Sequence, residues 1–110
     1  MKNKNFLSRI PIKSKKIKWD FENEKIVITV ENKGFANRLM QILINKPKMS
    51  KIHLDEIGSF IWQIIDGKKT IYDISYELKN KFGKAADPLY FRLQKYFKTL
   101  YECRFIVWEK

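Results

Sequence analysis

The residue types that most often carry catalysis are scarce in this chain of 110 residues. It has one histidine, His53, and one cysteine, Cys103, and His53 has no second metal ligand near it in sequence. A nucleophile without a base, or a single imidazole, supports neither covalent catalysis nor a zinc site. Asp20, Glu22 and Glu24 fall in and beside a predicted turn, where solvation favours charge. The sequence therefore predicts a protein that is not an enzyme and that uses no metal or cofactor.

Composition and charge predict a small folded protein with an acidic partner. Hydrophobic residues make up 45% of the chain and aromatic residues 15%, enough for one ordinary core. The net charge is +11, and residues 1–18 alone hold seven Lys or Arg and no acid. Such a surface suits an acidic peptide, a nucleic acid or an acidic protein face. The lone cysteine, and the lack of an apolar run as long as a membrane span, predict a cytoplasmic protein without a membrane anchor.

The first half of the sequence predicts strands. Residues 1–14 show no sustained period and are expected to form a flexible basic tail, which leaves 15–110 as a single domain. Alternating apolar residues, a polar turn and a β-branched run predict a hairpin over residues 17–30. Residues 35–44 have helical spacing, and Met49–Leu54 alternates loosely as a third short strand.

The second half predicts three short helices and a closing strand. Asp55 can cap the first helix, and Thr70 begins a capping-box spacing for the second, which is expected to end at Gly83 at positive φ. Asp87-Pro88 precedes a third apolar stripe, and Phe105–Trp108 has the composition of a strand. The predicted fold class is α+β and winged-helix-like, with a hairpin, a third strand, three helices and a C-terminal strand.

A more specific pattern lies between Leu54 and Gly83. An apolar helix ends in Asp66-Gly67, a basic pair and a threonine follow, and Ile74 and Leu78 mark the next helix. In these features the chain resembles the PqqD-like family of peptide chaperones, named for the coenzyme PQQ synthesis protein D. With the hairpin and the third helix, the resemblance extends over residues 17–108. The same domain occurs as the recognition element (RiPP recognition element) of enzymes that modify ribosomally made peptides.

The resemblance implies a three-stranded sheet followed by three helices, in a bacterial protein without catalytic activity. It implies a module that binds a ribosomal precursor (leader) peptide and presents it to a modifying enzyme such as a radical SAM enzyme. The peptide is expected to add as a strand to the edge of the third strand, against the third helix. The expected contacts are Met49, Lys51, Ile52 and His53 on the strand, and Tyr90, Gln94, Phe97, Lys98 and Tyr101 on the helix.

The third helix allows two interpretations of its wide apolar face. The line formed by Tyr90, Phe97 and Tyr101 is either buried by neighbouring elements or forms the floor of a peptide groove. Sequence spacing does not separate the two, because both place the same residues on the same side of the helix.

Two other functions are compatible with the sequence. Arg92, Lys95 and Lys98 form a basic row that could enter the major groove of DNA, although the helical half is near neutral and specific nucleic-acid binding is not expected. Alternatively, the chain is a non-catalytic subunit that contacts an enzyme or itself, with Trp108 as a possible homodimer contact.

Overall fold

A computed structural model describes residues 5–31 and 49–110 of the protein, so the helix expected over residues 35–44 lies outside the described residues. The strands are β1 (Pro11–Lys13), β2 (Lys18–Glu22), β3 (Lys25–Glu31), β4 (Met49–His53) and β5 (Ile106–Trp108). The α-helices are α1 (Glu56–Ile64), α2 (Ile71–Phe82) and α3 (Leu89–Glu102). This order confirms the α+β class, and the likeness to a winged helix stays a prediction.

Strands β2, β3 and β4 form one antiparallel sheet, with β3 in the middle. The β2–β3 hairpin turns through Asn23 and Glu24, which have φ of 54° and 68°, as a two-residue hairpin turn of this hand requires. Side chains alternate between the two faces, so Ile26, Ile28 and Val30 of β3 all point into the core and are almost completely buried. The hairpin and the third strand are therefore confirmed.

The N-terminal segment differs from the expected flexible tail. Strand β1 pairs antiparallel with β5, with Pro11 opposite Trp108 and Lys13 opposite Ile106, and Pro11 is buried. A strand of three residues is too short to show a period, and its partner lies at the far end of the chain. For that reason the pairing could not be predicted from local sequence.

The helix starts follow the capping signals in two of three cases. The Asp55 carboxylate accepts the Gly58 N–H at 2.7 Å, and the expected reciprocal capping box forms at Thr70. The third helix starts at Leu89 without a side-chain cap. Asp87 instead binds Lys79 Nζ at 3.0 Å, because the turn before α3 brings this carboxylate back beside α2.

The apolar stripes of the three helices and the inner face of the sheet meet in one core. Its largest completely buried side chains are Trp62 of α1 and Phe97 of α3. Leu78 of α2 and Leu93 of α3 lie in the same cluster, and Ile106 adds the contribution of β5. The core therefore holds α3 in place with β4 on one flank and β5 on the other.

Helix α2 ends at Gly83, whose N–H donates to the Lys79 carbonyl and whose φ and ψ are 58° and −131°. This backbone conformation is almost restricted to glycine, because a β-carbon clashes with the residue's own main chain. A β-carbon at Gly83 would meet no other atom within 4 Å. The cost of a side chain here is therefore a backbone cost alone.

We expect Gly83→Ala to lower the free energy of unfolding by about 1–2 kcal/mol through that backbone strain. Urea denaturation of both proteins measures the difference. Lys84→Ala, at the next and exposed position, is the matched control and should stay within about 0.5 kcal/mol of the parent. An unchanged midpoint for Gly83→Ala would show that the helix ends elsewhere.

Candidate functional site

Strand β4 is an edge of the three-stranded sheet in the part of the chain that the structure describes. It pairs with β3 so that Ile28 faces Ile52 and Thr29 faces Lys51. The Leu54 N–H donates to the Ile26 carbonyl at 2.9 Å, so Ile26 and Leu54 are a hydrogen-bonded pair of the ladder, and Ile28 and Ile52 are the next one. Because hydrogen-bonded and non-bonded pairs alternate in an antiparallel ladder, the N–H and C=O groups of Lys51 and His53 point away from β3.

The ladder between β3 and β4 is closed by a serine from the first turn of α1. Ser59 Oγ accepts the Ile26 N–H at 2.8 Å and donates to the Leu54 carbonyl at 3.2 Å. In a regular antiparallel ladder, Ile26 and Leu54 would exchange this second hydrogen bond directly, but here the two groups are bridged by the hydroxyl. The Ser59 hydroxyl is inserted between them and is buried, so it fixes where β4 ends and where α1 begins.

A groove of about 530 Å³ runs between β4 and α3 and is called here the edge groove. Its lining is mainly apolar, and it is contributed by Ile52, Leu54, Tyr96, Leu100, Cys103 and Phe105. Arg92 and Lys95 lie along its α3 side, and Pro88 and Phe91 lie near the start of the helix. The groove therefore combines an apolar floor with a basic rim, and it lies beside the strand that ends the sheet among the described residues.

Tyr96 ties the α3 wall of the groove to α1. Its hydroxyl donates to the Gly58 carbonyl at 2.7 Å, and burial, with a smaller effect of Asp55, raises the tyrosine pKa well above its usual value. A β-carbon at Gly58 would lie 3.3 Å from the Tyr96 ring and 3.0 Å from the Asp55 carboxylate. Gly58 therefore leaves the space in which the tyrosine ring and the helix cap meet.

The basic residues of the rim are held by local contacts. Arg92 Nε donates to the Ala86 carbonyl at 3.1 Å, which fixes one edge of the guanidinium group. Lys95 Nζ lies 5.4 Å from the centre of the Phe91 ring, within the range of a cation–π contact. Both cations line the groove, where they can meet a carboxylate.

The predicted strand contacts lie on two faces of β4. The Ile52 side chain lines the edge groove, whereas Lys51 and His53 carry their side chains on the opposite face and offer backbone groups at the edge. His53 Nε2 lies 3.0 Å from a Glu22 carboxylate oxygen, across the outer face of the sheet. Met49 starts the strand opposite Glu31.

The predicted helix contacts do not line the edge groove. Phe97 is completely buried in the core, and Tyr90 lies towards α2. Gln94, Lys98 and Tyr101 line a second cavity on the other flank of α3. Their contact with a peptide stays a prediction, but the groove beside β4 is formed by other residues.

The residues that do face β4 lie one or two positions further along, and they are Arg92, Tyr96, Thr99 and Leu100 of α3 and its C-cap residue Cys103. The sequence did carry a signal for them, because these positions are spaced three or four apart and so share one flank of a helix. The sequence did not show which flank of α3 faces β4. That orientation depends on how the core rotates α3.

The joint between α1 and α2, which carries the most specific sequence pattern, has a structural role. Asp66 Oδ1 accepts the N–H groups of Lys68 and Lys69, both at 2.9 Å. These hydrogen bonds, with the Lys69 ammonium, lower the Asp66 pKa to about 2. Gly67 follows with a φ of 78°. These contacts turn the chain from one helix into the next and leave the motif outside the edge groove.

The thiol of Cys103 is held in its neutral form. Burial, with a smaller effect of Glu102, raises the pKa of the Cys103 thiol to about 11, so the nucleophilic thiolate is disfavoured. No group of three His, Cys, Asp or Glu residues that could hold a metal occurs within residues 5–31 and 49–110. Across the same residues, every helix is too short or too polar to span a membrane.

Comparison with known proteins gives one match. Residues 41–106 match the family model described as coenzyme PQQ synthesis protein D (PqqD), which is more than half of the chain. No curated protein and no solved structure matches the chain. The matched range includes β4, the three helices and the first residue of β5, and therefore the whole lining of the edge groove.

We expect Ser59→Ala to lower the free energy of unfolding by about 2–3 kcal/mol, because it leaves the Ile26 N–H and the Leu54 C=O without their partner. Thermal and urea denaturation measure this. Ser75→Ala is the matched control, since Ser75 is equally buried but its hydroxyl donates to the Tyr72 carbonyl within its own helix. An equal loss in both variants would argue against a special role for the Ser59 bridge.

The raised pKa of Tyr96 predicts a loss of stability at high pH. Because the folded state holds this proton more tightly than the unfolded state, the Tyr96 contribution is complete below about pH 10 and falls as the pH rises further. The free energy of unfolding of Tyr96→Phe should therefore fall less steeply above about pH 10 than that of the parent. Tyr76→Phe removes an exposed tyrosine and should keep the parental slope, whereas equal slopes in all three proteins would contradict the assignment.

Proposed function

The chain belongs to the PqqD family, and from this membership we propose that it binds a ribosomally made precursor (leader) peptide by strand addition to β4 and presents it to a modifying enzyme, such as a radical SAM enzyme. Members of the family are peptide-binding proteins without catalytic activity. The observation that carries the proposal is that β4 forms an edge of its sheet within residues 5–31 and 49–110 and lies beside the apolar edge groove.

Strand addition explains the backbone part of the binding. An extended peptide beside β4 would donate to and accept from the outward main-chain groups of Lys51 and His53, which need no particular side chains in the ligand. These bonds set the position and direction of the peptide. Selectivity must then come from the side chains on either side of the added strand.

The two faces of β4 predict an alternating ligand. Every second side chain of the peptide would point into the edge groove beside Ile52 and Leu54, where burial of one large apolar side chain contributes about 1.5–3 kcal/mol. The side chains between them would lie on the outer face beside Lys51, which is exposed. The ligand is therefore a peptide that alternates apolar and acidic residues.

The rim of the groove adds a second preference for acids. Arg92 and Lys95 can pair with carboxylates that flank the apolar residues of the peptide. With two or three buried side chains and the strand bonds, a dissociation constant in the micromolar range or tighter is expected, about −8 kcal/mol.

The same environment supports a binding role rather than a catalytic one. Cys103 lies at the floor of the groove with its pKa raised to about 11, so it acts there as a small apolar surface. His53 is engaged by Glu22 on the opposite face of the sheet from the groove. A peptide in the edge groove would therefore meet packing and charge, and the chemistry would belong to the partner enzyme.

Replacing Lys51 by proline tests strand addition directly. The Lys51 N–H points away from β3, so Lys51→Pro removes a donor that the ligand needs and leaves the ladder to β3 intact. A synthetic twelve-residue peptide that alternates Glu with Val and Phe is the probe. We expect its affinity to fall about tenfold, as for the loss of one hydrogen bond, measured by fluorescence anisotropy.

Lys51→Ala is the matched control for this variant, because it removes the same side chain but keeps the N–H. Its affinity for the probe should fall by about threefold or less, because only the charge of the side chain is lost. Equal affinities for the proline and alanine variants would mean that the peptide does not pair with the backbone of β4. Amide shifts upon adding the probe should map to residues 51–54 and to the edge-groove side of α3, and circular dichroism checks that each variant is folded.

A further inference from the structure

A second groove of about 570 Å³ lies on the flank of α3 that faces away from β4 and is called here the Trp108 groove. Trp108 of β5 forms its floor, with the Tyr101 ring stacked at 6.1 Å and the Phe6 ring edge-on at 6.3 Å. The Arg9 guanidinium lies 4.4 Å from the centre of the Trp108 indole. The floor is therefore an aromatic platform with a cation placed over it.

The charge around this platform is mostly positive. Arg9, Lys95 and Lys98 contribute cations, and Glu102, which lies 3.5 Å from Lys98 Nζ, contributes an acid. The Lys98 side chain is 74% exposed, and an exposed pair of this kind is worth less than about 1 kcal/mol. Lys98 can therefore turn to a stronger acidic partner at little cost.

The walls of the Trp108 groove suit a ligand whose own backbone hydrogen bonds are already made. Side chains of α3 and of the N-terminal segment line it, and the main chain of that segment is engaged internally. Arg9 N–H donates to the Phe6 carbonyl at 3.1 Å, and the Arg9 carbonyl accepts the Ile71 N–H at 2.9 Å. A helix satisfies its own main chain, so it can lie in such a groove without unpaired polar groups. From Phe91 to Glu102 the groove follows about 16 Å of α3, the length of three helical turns.

We infer that the Trp108 groove is a second docking site, and that it takes an acidic amphipathic helix of the modifying enzyme. The inference rests on the proposed function, since it supplies the surface by which the enzyme would be held. A second copy of this chain is a poor occupant, because the net charge of +11 sets basic surface against basic surface. An acidic helix instead places carboxylates on Arg9 and Lys98, and its apolar side chains on Trp108.

This assignment puts the two ligands on the two flanks of one helix. Phe91 and Lys95 form the ridge between the grooves and contribute to both linings. A peptide on β4 and a helix on Trp108 would lie side by side on α3 without sharing their main contacts. Simultaneous binding of substrate and enzyme is the arrangement that presentation of a peptide requires.

The test uses the full chain labelled with ¹⁵N and a synthetic sixteen-residue amphipathic helix with Leu on one face and Glu on the other. The Trp108 indole N–H reports on this groove, because its ring forms the floor. We expect the indole peak and the amides of Gln94, Lys98 and Tyr101 to shift. We expect Lys98→Gln to weaken binding of the probe about twofold, because the attraction is lost. Lys98→Glu should weaken it about fivefold, because repulsion is added to that loss.

Lys51→Glu is the matched control, because it makes the same charge change on the outer face of the sheet, outside the Trp108 groove, and should leave binding of the helical probe unaffected. The inference is wrong if a probe with Lys in place of Glu binds as tightly, or if Lys98→Glu has no effect. It is equally wrong if the shifts are confined to residues 51–54. A Trp108 indole peak that moves with protein concentration alone would assign the groove to a second copy and would also overturn it.

The two proposals fail in different ways. If the alternating peptide leaves β4 unshifted while the helical probe shifts Trp108, strand addition is wrong and the second groove stands. If the alternating peptide shifts β4 and the helical probe shifts nothing at Trp108, the proposed function stands and the second docking site is wrong.

Discussion

A single buried hydroxyl connects the sheet, the first helix and the candidate binding site. Ser59 accepts the Ile26 N–H and donates to the Leu54 carbonyl, and these two backbone groups would otherwise face an apolar interior. Because an unpaired buried polar group costs about 1–3 kcal/mol, the strand can end here only with such a bridge. The bridge fixes Leu54 at the end of β4, and Leu54 is a wall of the edge groove.

The first turn of α1 also holds helix α3 in position. Tyr96 reaches across to the Gly58 carbonyl, one residue before Ser59, so the N-terminus of α1 holds both walls of the edge groove. Phe97 and Leu93 anchor the same helix in the core. With its inner face occupied, α3 has two flanks that line grooves, one beside β4 and one beside β5. The separation of the two proposed binding surfaces is thus a consequence of core packing.

The joint between α1 and α2 shows why a sequence signature need not mark a binding site. Asp66 accepts the N–H groups of Lys68 and Lys69 in the turn between the helices, and Thr70 accepts the Asp73 N–H, which the start of a helix would otherwise leave unpaired. Gly67 takes a φ that other residues rarely adopt. These demands are strict in residue type, so they leave a clear pattern. A groove that binds an extended backbone makes weaker demands on residue type, so its sequence pattern is weaker.

The amino-acid sequence by itself determined the elements whose signals are local: the hairpin, the capping box at Thr70, the end of α2 at Gly83, and the α+β order of strands and helices. It also pointed to β4 as the strand beside the candidate site. Only the tertiary structure decided that Pro11–Lys13 is a strand, since its partner β5 lies at the other end of the chain. Only the tertiary structure also decided that Phe97 is in the core and that Arg92 is beside β4. Helical spacing gives the angles between residues on α3, but the rotation of that helix is set by how the whole core packs.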